Sequence, residues 1–373
     1  MKLTTYGRIA GVAFAGALAL SACGTDDNSG GGTSGGGAKA ADLGVECVKG
    51  TINASGSSAQ DNAMSEWKKA YQQACAGASI NYQASGSGAG VEQFIAGSTA
   101  FAGSDSALKE DKGEPAKADA RCKTGKAINL PMVVGPVSVV YNLPGVDGLQ
   151  LSAPTLAKIF NGKVAKWNDP AIAKENQGVQ LPATPIQPVH RADESGTTDN
   201  FTSFLKEAAP KDWPYEPEKA WPAQAKGLGG KSSEGLTTTT KQTTGAIGYV
   251  EYSFAKASQM QQAKIANGAD EYVELTPESA SKAVEGAEVE GEGNDLKLSI
   301  DYTTKAAGAY PIVLVTYEIT CEKGLPADQL ALTKSFLTYA ASEQGQSKLT
   351  ALGYAPVPQS VISKVRTSVQ ALS

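Results

Sequence analysis

Histidine occurs once in this chain of 373 residues, as His190. A nucleophile that relies on an imidazole base would have to use that one ring, which stands beside Arg191 at the end of an apolar stretch. This weighs against a serine hydrolase. The five cysteines, at 23, 47, 75, 122 and 321, fall in no zinc-ligand spacing. Lysine and arginine never form a dense run, and the formal net charge is −5, so nucleic acid is excluded as the main partner. The apolar stretch Ile9 to Leu20 is too short for a comfortable permanent span of a bilayer.

What that N-terminus does contain is a secretion leader, residues 1–22. Lys2 and Arg8 form its charged start, Ile9 to Leu20 its apolar middle and Leu20-Ser21-Ala22 its small-residue end. Cys23, directly after Leu-Ser-Ala, resembles the acylated first residue of a bacterial lipoprotein. Residues 23–44 are rich in Gly, Ser, Thr and Asp and read as a flexible tether; about 20 such residues reach roughly 25 Å. The remaining chain is long enough for two domains. Its four cysteines, an even number in an exported chain, suggest two disulfides, for which three pairings exist.

Past the tether, short apolar strands alternate with amphipathic helices. Val48 to Ala54 precedes Ser55-Gly56-Ser57-Ser58-Ala59, and Met64, Trp67, Tyr71 and Ala74 then give a helix one apolar face. Ile80 to Gln83 leads into Ala84-Ser85-Gly86-Ser87-Gly88-Ala89-Gly90 and a helix carrying Val91, Phe94 and Ile95. Phe101 to Ser104 runs into Asp105. Residues 109–126 are charged and read as exposed, and Glu285 to Asp295 as a solvated loop.

Residues 128–141 and 310–320 are nearly continuous β-branched strands, of the kind buried on both faces. If these two run antiparallel, Cys122 and Cys321 come together, leaving Cys47 to Cys75. The chain thus begins in one domain, visits a second and returns: 45–141 with 307–373 as domain I, and 142–306 as domain II. Domains joined by two crossing strands place a ligand cleft between them.

The most informative stretch is His190-Arg191-Ala192-Asp193-Glu194-Ser195-Gly196-Thr197. Phe201, Phe204 and Leu205 follow at helical spacing, so Ser195 to Thr197 open a helix whose free N–H groups and hydroxyls point the same way. A tetrahedral oxyanion is favoured there, within reach of a bidentate Arg191 that Asp193 can orient. An ordinary capped surface helix would use the same residue types.

Taken together, Asn81-Tyr82-Gln83, Gly103-Ser104-Asp105, Lys158 to Lys163 with Lys166-Trp167, Arg191-Ala192-Asp193, Ser195-Gly196-Thr197 and Gly245 to Tyr252 resemble, in order, the phosphate-binding proteins of bacterial ABC phosphate uptake systems. The resemblance covers nearly all of the chain after the tether. It implies an α/β, two-domain periplasmic-binding-protein-like (type II) fold with phosphate held dehydrated in the cleft. Carried over, the ligand set is the Ser58 hydroxyl, the Ala59 N–H, Ser87 and Asp105 from domain I, with Arg191, Ser195, the Gly196 N–H and Thr197 from domain II. Asp193 supports Arg191. Family members usually carry Thr-Phe-Pro where this chain has Ser58-Ala59-Gln60, which removes an aromatic from one wall.

The resemblance further implies a monomer without cofactor, catalysis or resident metal, lipid-anchored through Cys23 at the extracytoplasmic face of the cell membrane and serving the permease subunits of an ABC transporter. Every carried-over ligand group donates except Asp105, which only accepts while ionised. Phosphate carries a proton to give it and sulfate does not, so Asp105 is the expected selectivity filter.

Competing functions leave weaker traces. Gly229-Gly230-Lys231-Ser232 resembles the end of a nucleotide-binding loop, but Ala225 stands where its first glycine is required and no apolar strand precedes it. A phosphotransferase motif at Asp193 would need a second Asp where Ser195 stands. A receptor for another oxyanion or a small acidic solute would use the same donors, and differs from a phosphate receptor only at Asp105.

Overall fold

The structure is a computed structural model and describes residues 43–373. The leader, Cys23 and the tether up to residue 42 lie outside the described residues. The tether as read from the sequence extends to residue 44, but Leu43 is buried in the first core, as expected of the one large apolar side chain at that end of the stretch.

The strands β1 (Gly50–Gly56), β2 (Ala78–Gln83), β3 (Phe101–Ser104), β4 (Ala127–Tyr141), β5 (Gln187–Arg191), β6 (Leu228–Gly230), β7 (Ala246–Glu251) and β8 (Val313–Cys321) form one sheet in the order β2-β1-β3-β8-β4-β7-β5-β6. Pairing is parallel at each end, β2-β1-β3 and β7-β5-β6. It is antiparallel where β8 meets β3 and β4, and where β4 meets β7.

All 15 residues of β4 are buried. Its first part pairs with β8 and its last part, from Val137, with β7. The hydrophobic interior divides along this strand: residues up to Val134 join one core, and Val137 onward join a second. On β8, Val313, Val315, Tyr317 and Ile319 face the first core, whereas Thr316, Glu318 and Thr320 form a buried polar face. This period-two alternation puts polar groups beneath the β1 and β3 turns. Ala280, Val284, Leu296 and Leu298 pack on the first core, although they belong to the 142–306 segment.

Helices α1 (Asp61–Ala74), α2 (Ser87–Ile95), α3 (Glu114–Cys122), α4 (Ala153–Phe160), α5 (Gly196–Ala208) and α6 (Ser232–Gln242) cover the sheet. Met64, Trp67 and Tyr71 of α1 are fully buried, each contributing about 1.5–3 kcal/mol through apolar burial. Trp67 Nε1 also donates to the Gly345 carbonyl at 2.9 Å.

Both disulfides expected from strand geometry are present, Cys47–Cys75 and Cys122–Cys321. The exposed reading of 109–126 holds for Glu110 to Lys112, Lys117, Lys123 and Lys126 but not for the whole segment. Ala118 and Cys122 are buried, Glu114 pairs with Lys219 at 2.9 Å, and Lys109 pairs with Asp199 at 2.6 Å. Charge alone cannot reveal that a distant segment supplies counterions. The solvated loop at 285–295 likewise ends in a structural contact, because Asp295 Oδ1 accepts from both the N–H and Nδ2 of Asn129 at 2.7 Å.

Candidate functional site

β1, β2 and β3 run opposite to β5, β6 and β7 and lie beside successive parts of β4, so the turns that end the two groups, with the helix N-termini that follow them, meet face to face. The turn after β1 carries Ser57 to Gln60, and the turn after β2 opens α2 at Ser87. Asp105 follows β3. The turn after β5 carries Arg191 to Ser195 and opens α5 at Gly196, and the turn after β6 opens α6. Ser58, Ala59, Ser87, Asp105, Arg191, Ser195 and Thr197 are each at most 3% exposed.

Close backbone approach makes two glycines necessary. A Cβ on Gly56 would lie 1.9 Å from the Gly103 carbonyl oxygen, and one on Gly196 would lie 2.4 Å from Asp105 Cβ. No side chain fits in either place.

Asp105 is the centre of the cluster. Its Oδ1 accepts from Ser57 Oγ at 2.5 Å and Thr316 Oγ1 at 2.8 Å, and its Oδ2 accepts from Ser87 Oγ at 3.1 Å. Burial raises its pKa from 3.8 to about 6; the Ser57, Thr316 and Ser87 hydroxyls pull it down, and the Glu251 charge pushes it up. Ser87 Oγ in turn accepts the backbone N–H groups of Asp105 and Gly196, both at 3.2 Å. Thus α2, β3 and the start of α5 meet at one hydroxyl. Asn200 Nδ2 ties the Asp105 and Gly196 carbonyls together at 2.7 Å each.

Arg191 is held by Asp193 in a bidentate pair, Nε to Oδ1 at 2.8 Å and Nη2 to Oδ2 at 2.6 Å. Burial alone would lower the guanidinium pKa, but the Asp193 bonds and charge outweigh it and hold it above its ordinary value. Burial would likewise raise Asp193, and Arg191 reverses that, leaving the carboxyl below its ordinary value. The Ser232 N–H adds a bond to Asp193 Oδ1 at 3.1 Å. Ser195 is the N-cap of α5, its Oγ accepting from the Thr198 N–H at 3.4 Å. Thr197 Oγ1 donates to Glu251 Oε1.

The structure brings Ser87, Asp105 and Gly196 into direct contact, and Arg191 with Asp193. Five of the expected ligand groups have protein partners: the Gly196 N–H donates to Ser87 Oγ, the Ser87 hydroxyl to Asp105, the Thr197 hydroxyl to Glu251 and the Ala59 N–H to Ser57 Oγ at 3.0 Å, and Ser58 Oγ meets Ser233, whose N–H is 3.0 Å and Oγ 2.9 Å away.

Sequence reasoning missed Ser57, Thr316, Glu251, Ser233 and Tyr249. Ser57 and Ser58 are adjacent, and no spacing rule selects between them. Thr316 sits in a β-branched strand that reads as pure core. A bulge at Thr316/Tyr317 locally shifts its register against β4 beside Pro131, which has no N–H for the ladder. Glu251 was the visible signal: one acidic residue ending an apolar strand, fully buried. Tyr249 Oη accepts the Arg191 N–H at 3.2 Å and pairs with Thr198 Oγ1 at 2.7 Å.

Ala59, which stands where the usual aromatic would, belongs to the second core, and the turn around it is tied to Tyr82, which packs on the first. Tyr82 Oη donates to the Ser57 carbonyl at 2.7 Å and accepts from Gln60 Nε2 at 3.1 Å. Gln60 thus braces a tyrosine from the neighbouring strand.

Residues 43–344 match the model of the PBP superfamily domain. Across the full length of both chains, the sequence is 44% identical to Phosphate-binding protein PstS 3 of Mycobacterium tuberculosis and 40% identical to PstS 2 of the same species. It is 34% identical to Phosphate-binding protein PstS of Xylella fastidiosa over 81% of this chain and 80% of that one. Among solved structures, a high-affinity periplasmic phosphate-binding protein bound with phosphate superposes with a TM-score of 0.69 at 23% identity, covering 85% of this chain and 93% of that chain. The fold is shared with that protein.

Proposed function

The chain belongs to the PBP superfamily and, within it, to the phosphate-binding proteins, and from that membership we propose that the buried cluster around Asp105 and Arg191 holds one inorganic phosphate for delivery to an ABC transporter. In this reading Ser58, the Ala59 N–H, Ser87 and Asp105 on one side and Arg191, Ser195, the Gly196 N–H and Thr197 on the other take the anion as the bonds from Gly196 to Ser87, Ala59 to Ser57 and Thr197 to Glu251 open, with Asp193 fixing Arg191. The two halves of the site belong to domain I, residues 45–141 and 307–373, and domain II, residues 142–306, which hinge on β4 and β8.

The observation that carries this reading is the acceptor balance at Asp105. A carboxylate has about four acceptor positions, and three hydroxyls occupy three of them, two on Oδ1 and one on Oδ2. One position on Oδ2 is left for a proton that the ligand brings. Phosphate has that proton; sulfate would place an oxygen against a buried carboxylate with nothing between them.

Binding is followed by handover to the permease without chemical conversion. Cys23, acylated after removal of residues 1–22, anchors the monomer at the extracytoplasmic face of the membrane. Among the described residues no helix is long and apolar enough to cross it.

Calorimetric titration of the phosphate-stripped protein with phosphate and, separately, sulfate tests the proposal. Tight phosphate binding with no sulfate heat is expected, and it should vanish in Arg191→Ala. Equal binding of both anions would leave a generic oxyanion receptor, and phosphate binding that survives Arg191→Ala would overturn the site.

A further inference from the structure

The motif Gly229-Gly230-Lys231-Ser232-Ser233, which the ligand set above does not use, lies inside the cluster. Ser232 has a positive φ of 61°, a turn that sends two successive N–H groups toward the site. The Ser232 N–H reaches Asp193 Oδ1 at 3.1 Å, and the Ser233 N–H reaches Ser58 Oγ at 3.0 Å. Ser233 Oγ lies 2.9 Å from the same Ser58 oxygen, and Ser233 is fully buried. The start of α6 therefore links the clamp on Arg191 to the hydroxyl after β1, two parts of the site that come from distant stretches of the chain.

A serine hydroxyl has one proton and two acceptor positions. The Ser233 N–H fills one acceptor position of Ser58. If the Ser233 hydroxyl donates as well, both are filled and the one Ser58 proton must point away from Ser233. In the opposite arrangement Ser58 donates to Ser233, and a lone pair of Ser58 faces the anion. An oxyanion beside Ser58 selects the first arrangement, because the second sets oxygen against oxygen with no hydrogen between them.

Resting on the phosphate reading, we infer that Ser233 is a positioning residue for binding: its N–H and hydroxyl saturate Ser58 Oγ and turn the single Ser58 proton to the bound phosphate. Donors in series polarise one another, so Ser58 becomes a better donor than an isolated hydroxyl. Because the saturating groups come from the start of α6, Ser58 is oriented only when α6 and the β1 turn are in contact.

The test is a double-mutant cycle on the full chain, titrated with inorganic phosphate. Ser233→Ala keeps the N–H and removes one donor; it should weaken binding about tenfold, and Ser233→Thr, which keeps the hydroxyl, should restore it. In a Ser58→Ala background the Ser233→Ala penalty should disappear, since the hydroxyl it orients is gone. Melting without phosphate should fall only by the lost hydroxyl pair, and alike for Ser233→Ala and Ser58→Ala. An Ser233→Ala protein that binds as tightly as the parent, or a penalty that persists without the Ser58 hydroxyl, would overturn the inference and leave the phosphate reading intact. A parent protein that gives no phosphate heat would overturn that reading itself.

Discussion

Replacing Asp105 by Asn separates what this carboxylate does for the fold from what it does for the ligand. In the folded protein it holds a proton up to a pH of about 6, while its ordinary value is 3.8. Between those values the folded state binds more protons than the unfolded one, so stability falls as pH rises through the window and stays lower above it. A shift of this size corresponds to about 3 kcal/mol. Asn removes that penalty, and its amide oxygen still accepts from Ser57 and Thr316.

Ser87 loses its bond, however. Its two acceptor positions are taken by the Asp105 and Gly196 N–H groups, and its proton would meet an amide N–H instead of Oδ2. Charging about 1 kcal/mol for that bond leaves a net gain of about 2 kcal/mol, or roughly 4 °C in melting temperature. The gain should be seen at pH 7.5 without phosphate and should disappear at pH 4. In the same variant the site offers a donor where it had an acceptor. Sulfate binding should strengthen by about 10² to 10⁴, the equivalent of relieving about 3–5 kcal/mol of unpaired buried charge. Thermal melts at the two pH values and sulfate calorimetry check both arms. A variant that still rejects sulfate, or that melts alike relative to the parent at both pH values, would refute the reasoning.

Asp193→Ala strips Arg191, 2% exposed, of its bidentate partner, so melting without phosphate should show a loss of about 3–5 kcal/mol, partly recovered when phosphate is added. The two disulfides close loops of different length, with sequence separations of 199 and 28. On the loop-entropy model they contribute about 5 and 4 kcal/mol, so denaturant unfolding should show the double Cys→Ser change at 122 and 321 costing more than that at 47 and 75. Ser232→Gly removes left-handed strain worth about 1 kcal/mol and keeps both N–H groups; it should raise the melting temperature slightly with phosphate affinity unchanged, as paired melts and titrations would show.

Much of this fold was legible because its signals are periodic. The strands at 128–141 and 310–320 stand out as nearly unbroken β-branched runs, and their antiparallel pairing explains why Cys122 and Cys321 meet. The candidate donors could be named from the sequence too. Turns such as Gly86-Ser87-Gly88 and Ser195-Gly196-Thr197 combine small residues with hydroxyls at strand-to-helix junctions, and their backbone N–H groups reach across to other segments, Gly88 to the Glu194 carbonyl and Gly196 to Ser87 Oγ. What stayed hidden was whatever depends on contacts between distant segments. Thr316 looks like any β-branched core residue until β3 is laid beside it. Lys109 and Glu114 look solvated until Asp199 and Lys219 are brought to them, and the Gly-Gly-Lys-Ser turn, weighed as part of a nucleotide loop, gains its role only from Ser58 opposite.

The two kinds of group in the site carry different parts of its behaviour. Donors are supplied by helix starts and short hydroxyls, which any tetrahedral oxyanion can use, so they set how tightly an anion is held. The direction of each hydroxyl proton is set by strand residues and second helices: Thr316 and Ser57 fill Oδ1 of Asp105, and Glu251 takes the Thr197 proton. A change among the first group should weaken every anion together, because it removes a donor that any anion uses alike. A change among the second should alter the preference between protonated and unprotonated anions, because it moves a hydrogen to where the ligand must supply or accept one. Ser57 and Thr316 therefore act on selectivity through Asp105: with either hydroxyl gone, Oδ1 regains an acceptor position and the carboxylate no longer demands its proton at a single place on Oδ2.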